Sequence, residues 1–180
     1  MHARQEDWHP SHIRVNCWDR WAYSKFFGFF EHCKRKGIYQ AIFYDSCRHL
    51  LERSEIQNNL NTLQQLSINH SPSILGFYVF KSIYEPLSLE ECATAIHNHL
   101  KSIHYRADLR WVVKVLRNLY ESKTIQRYTP NVGEICPLGK LRLSNHFFVQ
   151  SWHPIFEEVL SATCPLCRLQ MIWCMIFDEH

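Results

Sequence analysis

Between residues 72 and 120 the apolar positions recur with the period of an α-helix, three times over. PSILGFYVFKSIY (72 to 84) follows Ser71 and Pro72, an N-cap and first-turn pair, and must stop at Glu85 because Pro86 disfavours helical geometry in the residue before it. Leu89, Cys92, Ala93, Ile96 and Leu100 then fall at i, i+3, i+4, i+7 and i+11, with Ser88 and Glu91 at capping-box spacing. Leu109, Val112, Val113, Leu116 and Tyr120 repeat the pattern within HYRADLRWVVKVLRNLYES (104 to 122). Beside that stripe lies a second one, Trp111, Val115 and Leu119, so the third helix has only a narrow polar face and must be buried on two sides. The front helices, the tail and a partner chain are all candidates to cover it.

The front of the chain is also helical in pattern. WAYSKFFGFFEHCKRKG (21 to 37) is rich in aromatic residues and ends in a basic run before Gly37, which suits a helix C-terminus. Further helices are expected over roughly 38 to 54 (Ile38, Ile42, Phe43, Leu50, Leu51) and 55 to 68 (Ile56, Leu60, Leu63, Leu66), after an irregular arm of residues 1 to 20. NHSPS (69 to 73) divides this front from the three periodic helices. After the third of them, TIQRYT (124 to 129) and KLRLS (140 to 144) read as two short strands around a turn-rich tip holding Pro130, Gly133, Pro137 and Gly139. The expected fold is therefore mainly α with a small β-hairpin: an N-terminal helical region (1–70), three helices and a hairpin (71–145), and a C-terminal tail (146–180).

Composition narrows the class. With 180 residues, 46% of them hydrophobic and 14% aromatic, the chain has ample material for a packed core. No run approaches the roughly 18 apolar residues that span a bilayer, and MHARQEDWHP is too polar for a secretion signal. The expectation is an intracellular protein, nuclear if eukaryotic, without a membrane partner. Its eight cysteines then read as reduced thiols or metal ligands, not as a disulfide framework.

The order of helix, helix, helix and hairpin resembles a winged-helix domain over residues 72 to 145, about two fifths of the chain. "ILGFYVFKSIYEPLSLEECATAIHNHL" looks like the first two helices of that family, and "ADLRWVVKVLRNLYESKTIQRYT" is similar to its third helix and first wing strand. In DNA-binding members the third helix enters the major groove and the hairpin touches the backbone. By position, the resemblance implies that Arg106, Arg110, Lys114 and Arg117 face the groove, with Arg127, Lys140 and Arg142 near phosphates.

Helix geometry supports the first part independently, since steps of four, four and three put those four cations on one stripe. Charge distribution agrees. The net charge is only +3, but residues 101 to 145 hold nine Lys or Arg against three acids, which leaves the remainder at −3. A local excess governs contact with an anion, because screening at physiological salt leaves a reach of roughly 8 Å. A basic helix face is also what an ordinary solvated surface looks like, and winged-helix domains in larger assemblies often serve protein contacts only.

Candidate chemistry beyond this is confined to the tail. Cys164 and Cys167 in TCPLC have the spacing with which one turn offers two thiolates to a tetrahedral ion. His146 and His153 are the first choice for the remaining ligands of a structural zinc, with Cys136, Cys174 and His180 as alternatives. The competing reading starts a last helix at Pro165, running through PLCRLQMIWCMIF, in which Cys167 and Cys174 are small core residues.

Enzyme signatures fail one by one. A zinc deaminase needs H-x-E ahead of its P-C-x-x-C, and His153 is followed by Pro154 and Ile155. A RING-type ligase needs a second cysteine pair. A Gly-rich phosphate loop is missing from a chain with five glycines, and no local signature marks a Cys–His nucleophile among the twelve histidines. The expected function is that of a non-enzymatic nucleic-acid-associated protein that grips duplex DNA through its third helix and wing, without a small-molecule substrate. The alternative is a subunit that uses the same fold to dock a protein partner or a second copy through Trp111, Val115, Phe26 and Phe29.

Overall fold

The computed structural model describes residues 20–101, 106–121 and 159–177, with side chains from residue 27 onward, and this part of the chain is mainly helical. Helix α1 spans Arg20–Arg35, α2 Tyr39–Leu51, α3 Ile56–Leu66 and α4 Pro72–Tyr84. A 3-10 turn at Pro86–Ser88 leads into α5, Leu89–His99, and then come α6, Arg106–Glu121, and α7, Pro165–Phe177. Among the described residues there is no strand. The expected hairpin at 124 to 144 and the N-terminal arm lie outside them.

Several helix ends are set by single residues. Gly37, at φ 73°, closes α1: its N–H reaches the Lys34 carbonyl at 2.9 Å and the Ile38 N–H reaches Cys33 at 3.1 Å. That double bond is the Schellman arrangement, which needs a left-handed residue at the position glycine occupies. Helix α2 ends the same way with a worse residue, since Arg53 takes φ 56° while its N–H bonds Leu50 and that of Ser54 bonds His49. Pro86 ends α4 at Tyr84 as expected.

Two expected caps are formed differently. Ser71 makes no cap bond to α4; its hydroxyl goes to Asp108 in the first turn of α6, at 2.6 Å. Ser88 and Glu91 make no capping box either. Ser88 donates back to the Glu85 carbonyl at 2.8 Å, and Glu91 reaches out to Lys81 at 3.4 Å. In both places a tertiary or neighbouring partner outcompetes the local one, since a cap is worth only about 1 kcal/mol.

Helix α4 packs against α3, α5 and α6, while α7 packs against α5 and α6, and α2 touches α1, α3 and α6. One cluster of buried side chains takes residues from each of α1 to α7, from Phe30 and Phe43 at the front to Leu169, Ile172 and Phe177 at the back. Helices α2 and α4 approach closely where Gly76 leaves room for the Phe43 ring: a methyl group there would lie 2.7 Å from Phe43 Cε2. Helix α7 is buried at every position from Arg168 to Phe177, as its mixture of apolar residues on all sides requires.

Candidate nucleic-acid interface on α6

Helix α6 shows how two apolar stripes and one basic stripe share sixteen residues. Leu109, Val112, Val113, Leu116 and Tyr120 are buried, and so are Val115 and Leu119 of the second stripe. The cover comes from within the chain. At the front of α6 the Trp111 ring lies 5.1 Å from Phe43 of α2 and meets His70 edge-on at 5.7 Å. At the far end Tyr120 meets Phe177 of α7 edge-on at 5.3 Å. Front helices and tail both contribute: Val115, 2% exposed, is part of the buried core, and Trp111 is half-buried against its own chain.

What remains outward is basic but narrower than the sequence suggests. Arg110 and Lys114 are exposed, one helical turn apart, whereas Arg106 and Arg117 at the two ends of the stripe are half-buried. Arg117 already has partners: its Nε donates to Glu121 at 2.5 Å and its Nη1 to the Met175 carbonyl at 3.3 Å. It is a tie between α6 and the end of α7. Arg127, Lys140 and Arg142 lie outside the described residues, as do Cys136, His146, His153 and His180, and the Phe26 side chain. Phe29 is 48% exposed, as is Phe27.

The first turn of α6 is set by a polar cluster that periodicity does not reveal. Asp108 suits a helix N-terminus and accepts the Ser71 hydroxyl. Beside it, His70 is buried among Tyr39, Phe43 and Trp111, with its Nδ1 2.7 Å from Ser73 Oγ. Burial pushes the His70 imidazole below its ordinary pKa of 6.5, with the Asp108 carboxylate pulling the other way. His99 is lowered by burial against the same opposing carboxylate.

The tail holds a second feature missed in the sequence. Arg168 is 4% exposed, and its partners among the described residues are four backbone carbonyls in place of a carboxylate. These are Val159 at 2.9 Å, Leu160 at 2.9 Å, Ala162 at 2.6 Å and His97, in the last turn of α5, at 3.2 Å. A single cation in the apolar run PLCRLQMIWCMIF was the signal available, because a buried charge must be satisfied somewhere. The same neighbourhood lowers the His97 pKa, first by burial and then by the Arg168 charge.

Cys164 and Cys167 sit at the start of α7 and are half-buried, while Cys174 is in the core. Among the described residues no group of three or more His, Cys, Asp or Glu side chains converges to hold a metal ion. Nor is any helix there long and apolar enough to cross a membrane. Comparison with protein-family models, curated proteins and solved structures returns no match for this chain.

Proposed function

We propose that this is a non-enzymatic, nucleic-acid-associated protein that lays the outer face of α6 along duplex DNA. The observation that carries the reading is the exposure of Arg110 and Lys114 on a helix whose apolar sides are enclosed by α2, α4 and α7. With those sides closed, the surface α6 offers to another molecule is its basic one. Arginine brings bidentate donors for phosphate or guanine, and lysine adds a point charge. Arg106 flanks the pair, while Arg117, held by Glu121 and Met175, keeps the helix fixed beneath them. The test is binding of a labelled duplex across a series of salt concentrations, with and without alanine at positions 110 and 114.

A second reading has its own observation. Phe27 and Phe29 of α1 are each 48% exposed, which favours docking of a protein partner at the front helices instead of at Trp111 and Val115. Loss of partner capture on replacing Phe27 and Phe29 with serine, with duplex binding absent in the unaltered protein, would select it.

A further inference from the structure

We propose that Cys164 and Cys167 form a reversible dithiol–disulfide pair, oxidised by a small-molecule disulfide of the glutathione type. This is independent of whether α6 binds DNA. Their positions in the helix bring the two thiols together. Pro165 is the first residue of α7 and the Arg168 N–H bonds the Cys164 carbonyl at 3.1 Å, which makes Cys164 the N-cap and Cys167 the third helical residue. In a capping box each of those two side chains reaches the backbone N–H of the other residue, so both lie on the same side of the turn. With a rise of about 1.5 Å per residue on a cylinder of about 2.3 Å radius, Cα atoms three apart in a helical turn are separated by roughly 5 Å, inside the roughly 4.4–6.8 Å that a disulfide bridges between Cα atoms.

Three further observations favour exchange at this pair. The segment leading into Cys164 is fixed to the helix carrying Cys167, because Arg168 holds the carbonyls of Val159, Leu160 and Ala162. The backbone leading into Cys164 is therefore already held against α7, and pairing needs no loop to be ordered first. The first-turn N–H groups of α7 also lie at this pair, and a helix N-terminus favours the thiolate. Finally, this pair is half-exposed, whereas Cys33, Cys47, Cys92 and Cys174 are buried, and burial pushes the thiols of the first three above their ordinary pKa.

In the reaction the Cys164 thiolate attacks one sulfur of glutathione disulfide; a Cys164–glutathione bond forms, the glutathione S–S bond breaks and one glutathione thiolate leaves. The Cys167 thiolate then attacks the Cys164 sulfur, closes the intrachain disulfide and releases the second glutathione. Two cysteine thiols are oxidised, one glutathione disulfide is reduced to two thiols, and the two protons pass to the departing thiolates.

The test uses the full chain in graded mixtures of reduced and oxidised glutathione, with differential alkylation, peptide mass mapping and zinc analysis. The expected result is an intrachain 164–167 disulfide that appears with oxidised glutathione and vanishes with reduced, and alkylation of Cys164 at least about tenfold faster than that of Cys47. Cys167→Ser should trap glutathione on Cys164, and Cys164→Ser should show neither product. Equal, unchanged alkylation of both cysteines throughout would overturn the proposal. So would one tightly held zinc per chain that leaves in Cys164→Ser and shields both thiols until a chelator is added.

Discussion

Ser71 donates its hydroxyl to the Asp108 carboxylate at 2.6 Å, joining the residue before α4 to the first turn of α6 across 37 positions of sequence. His70, next to that bond, has its pKa lowered by burial, against the pull of the Asp108 carboxylate. Above its ordinary pKa of 6.5 the imidazole is neutral in both folded and unfolded chains and contributes no pH dependence. As pH falls below that value the unfolded chain takes up a proton that the folded one refuses, so stability is lost until the depressed folded pKa is reached. His97 and His99 act in the same direction. Urea midpoints measured from about pH 7.5 to 5 should therefore fall on the acid side. His70→Asn should flatten part of that fall, and Asp108→Asn, by removing the opposing carboxylate, should carry it to lower pH. A midpoint independent of pH through this window would contradict the assignment.

Glycine at two helix interiors makes a paired prediction. At Gly76 a methyl group would lie 2.7 Å from a ring carbon of Phe43, itself fully buried, while at Gly28 no described atom lies within 4 Å. Alanine gains about 1 kcal/mol over glycine in a helix interior, and overpacking a core costs about 1–3 kcal/mol. Gly28→Ala should raise the thermal midpoint. Gly76→Ala should lower it, because the clash exceeds the gain, and the gap between the two variants measures how firmly α2 and α4 are pressed together.

Arg168 joins the end of α5, the segment before α7 and α7 itself through one side chain. Its removal strands one buried and three part-buried carbonyls, and a buried one costs about 1–3 kcal/mol when unsatisfied, so Arg168→Ala should destabilise by about 2–3 kcal/mol in urea denaturation. Lysine should not rescue it, since an ammonium lacks the planar fork that reaches four separate oxygens. Limited proteolysis in the alanine variant should open first near residues 159 to 162. Cleavage rates equal to those of the unaltered protein would show that the clamp is dispensable.

These residues also mark where sequence stops predicting structure. Gly37, Pro72, Pro86 and Pro165 each act on their own backbone, and each bounds a helix where the pattern put it. The apolar period of α6 likewise holds through both stripes. Ser71, Ser88 and Glu91 were read by local spacing, and local spacing carries no information about Asp108, Glu85 or Lys81, whose competing bonds arise from chain neighbours or packing. For the same reason the double stripe on α6 announced a cover but not its source, which is α2 at Trp111 and α7 at Tyr120. Of the basic stripe, its place on one helix face was legible. That Arg117 is committed to Glu121 and the Met175 carbonyl was not, because the second partner lies 58 residues away.

That commitment decides what the basic face should do quantitatively. Each phosphate neutralised by a cation contributes a slope of about −0.9 to the dependence of log affinity on log salt for duplex DNA. If Arg110 and Lys114 make the contacts from α6, replacing both with alanine should reduce the slope by about 2 and weaken binding most at low salt. Arg117→Ala should behave differently: with its guanidinium tied to the end of α7, the loss should appear first as a lower thermal midpoint, with the salt slope little changed. Fluorescence anisotropy of a labelled duplex, run beside thermal melts of the same variants, separates the two effects. A slope that drops as far in Arg117→Ala as in the double variant would assign the phosphate contacts to the half-buried end of the stripe. An unchanged slope in the double variant would remove α6 as the DNA-binding face.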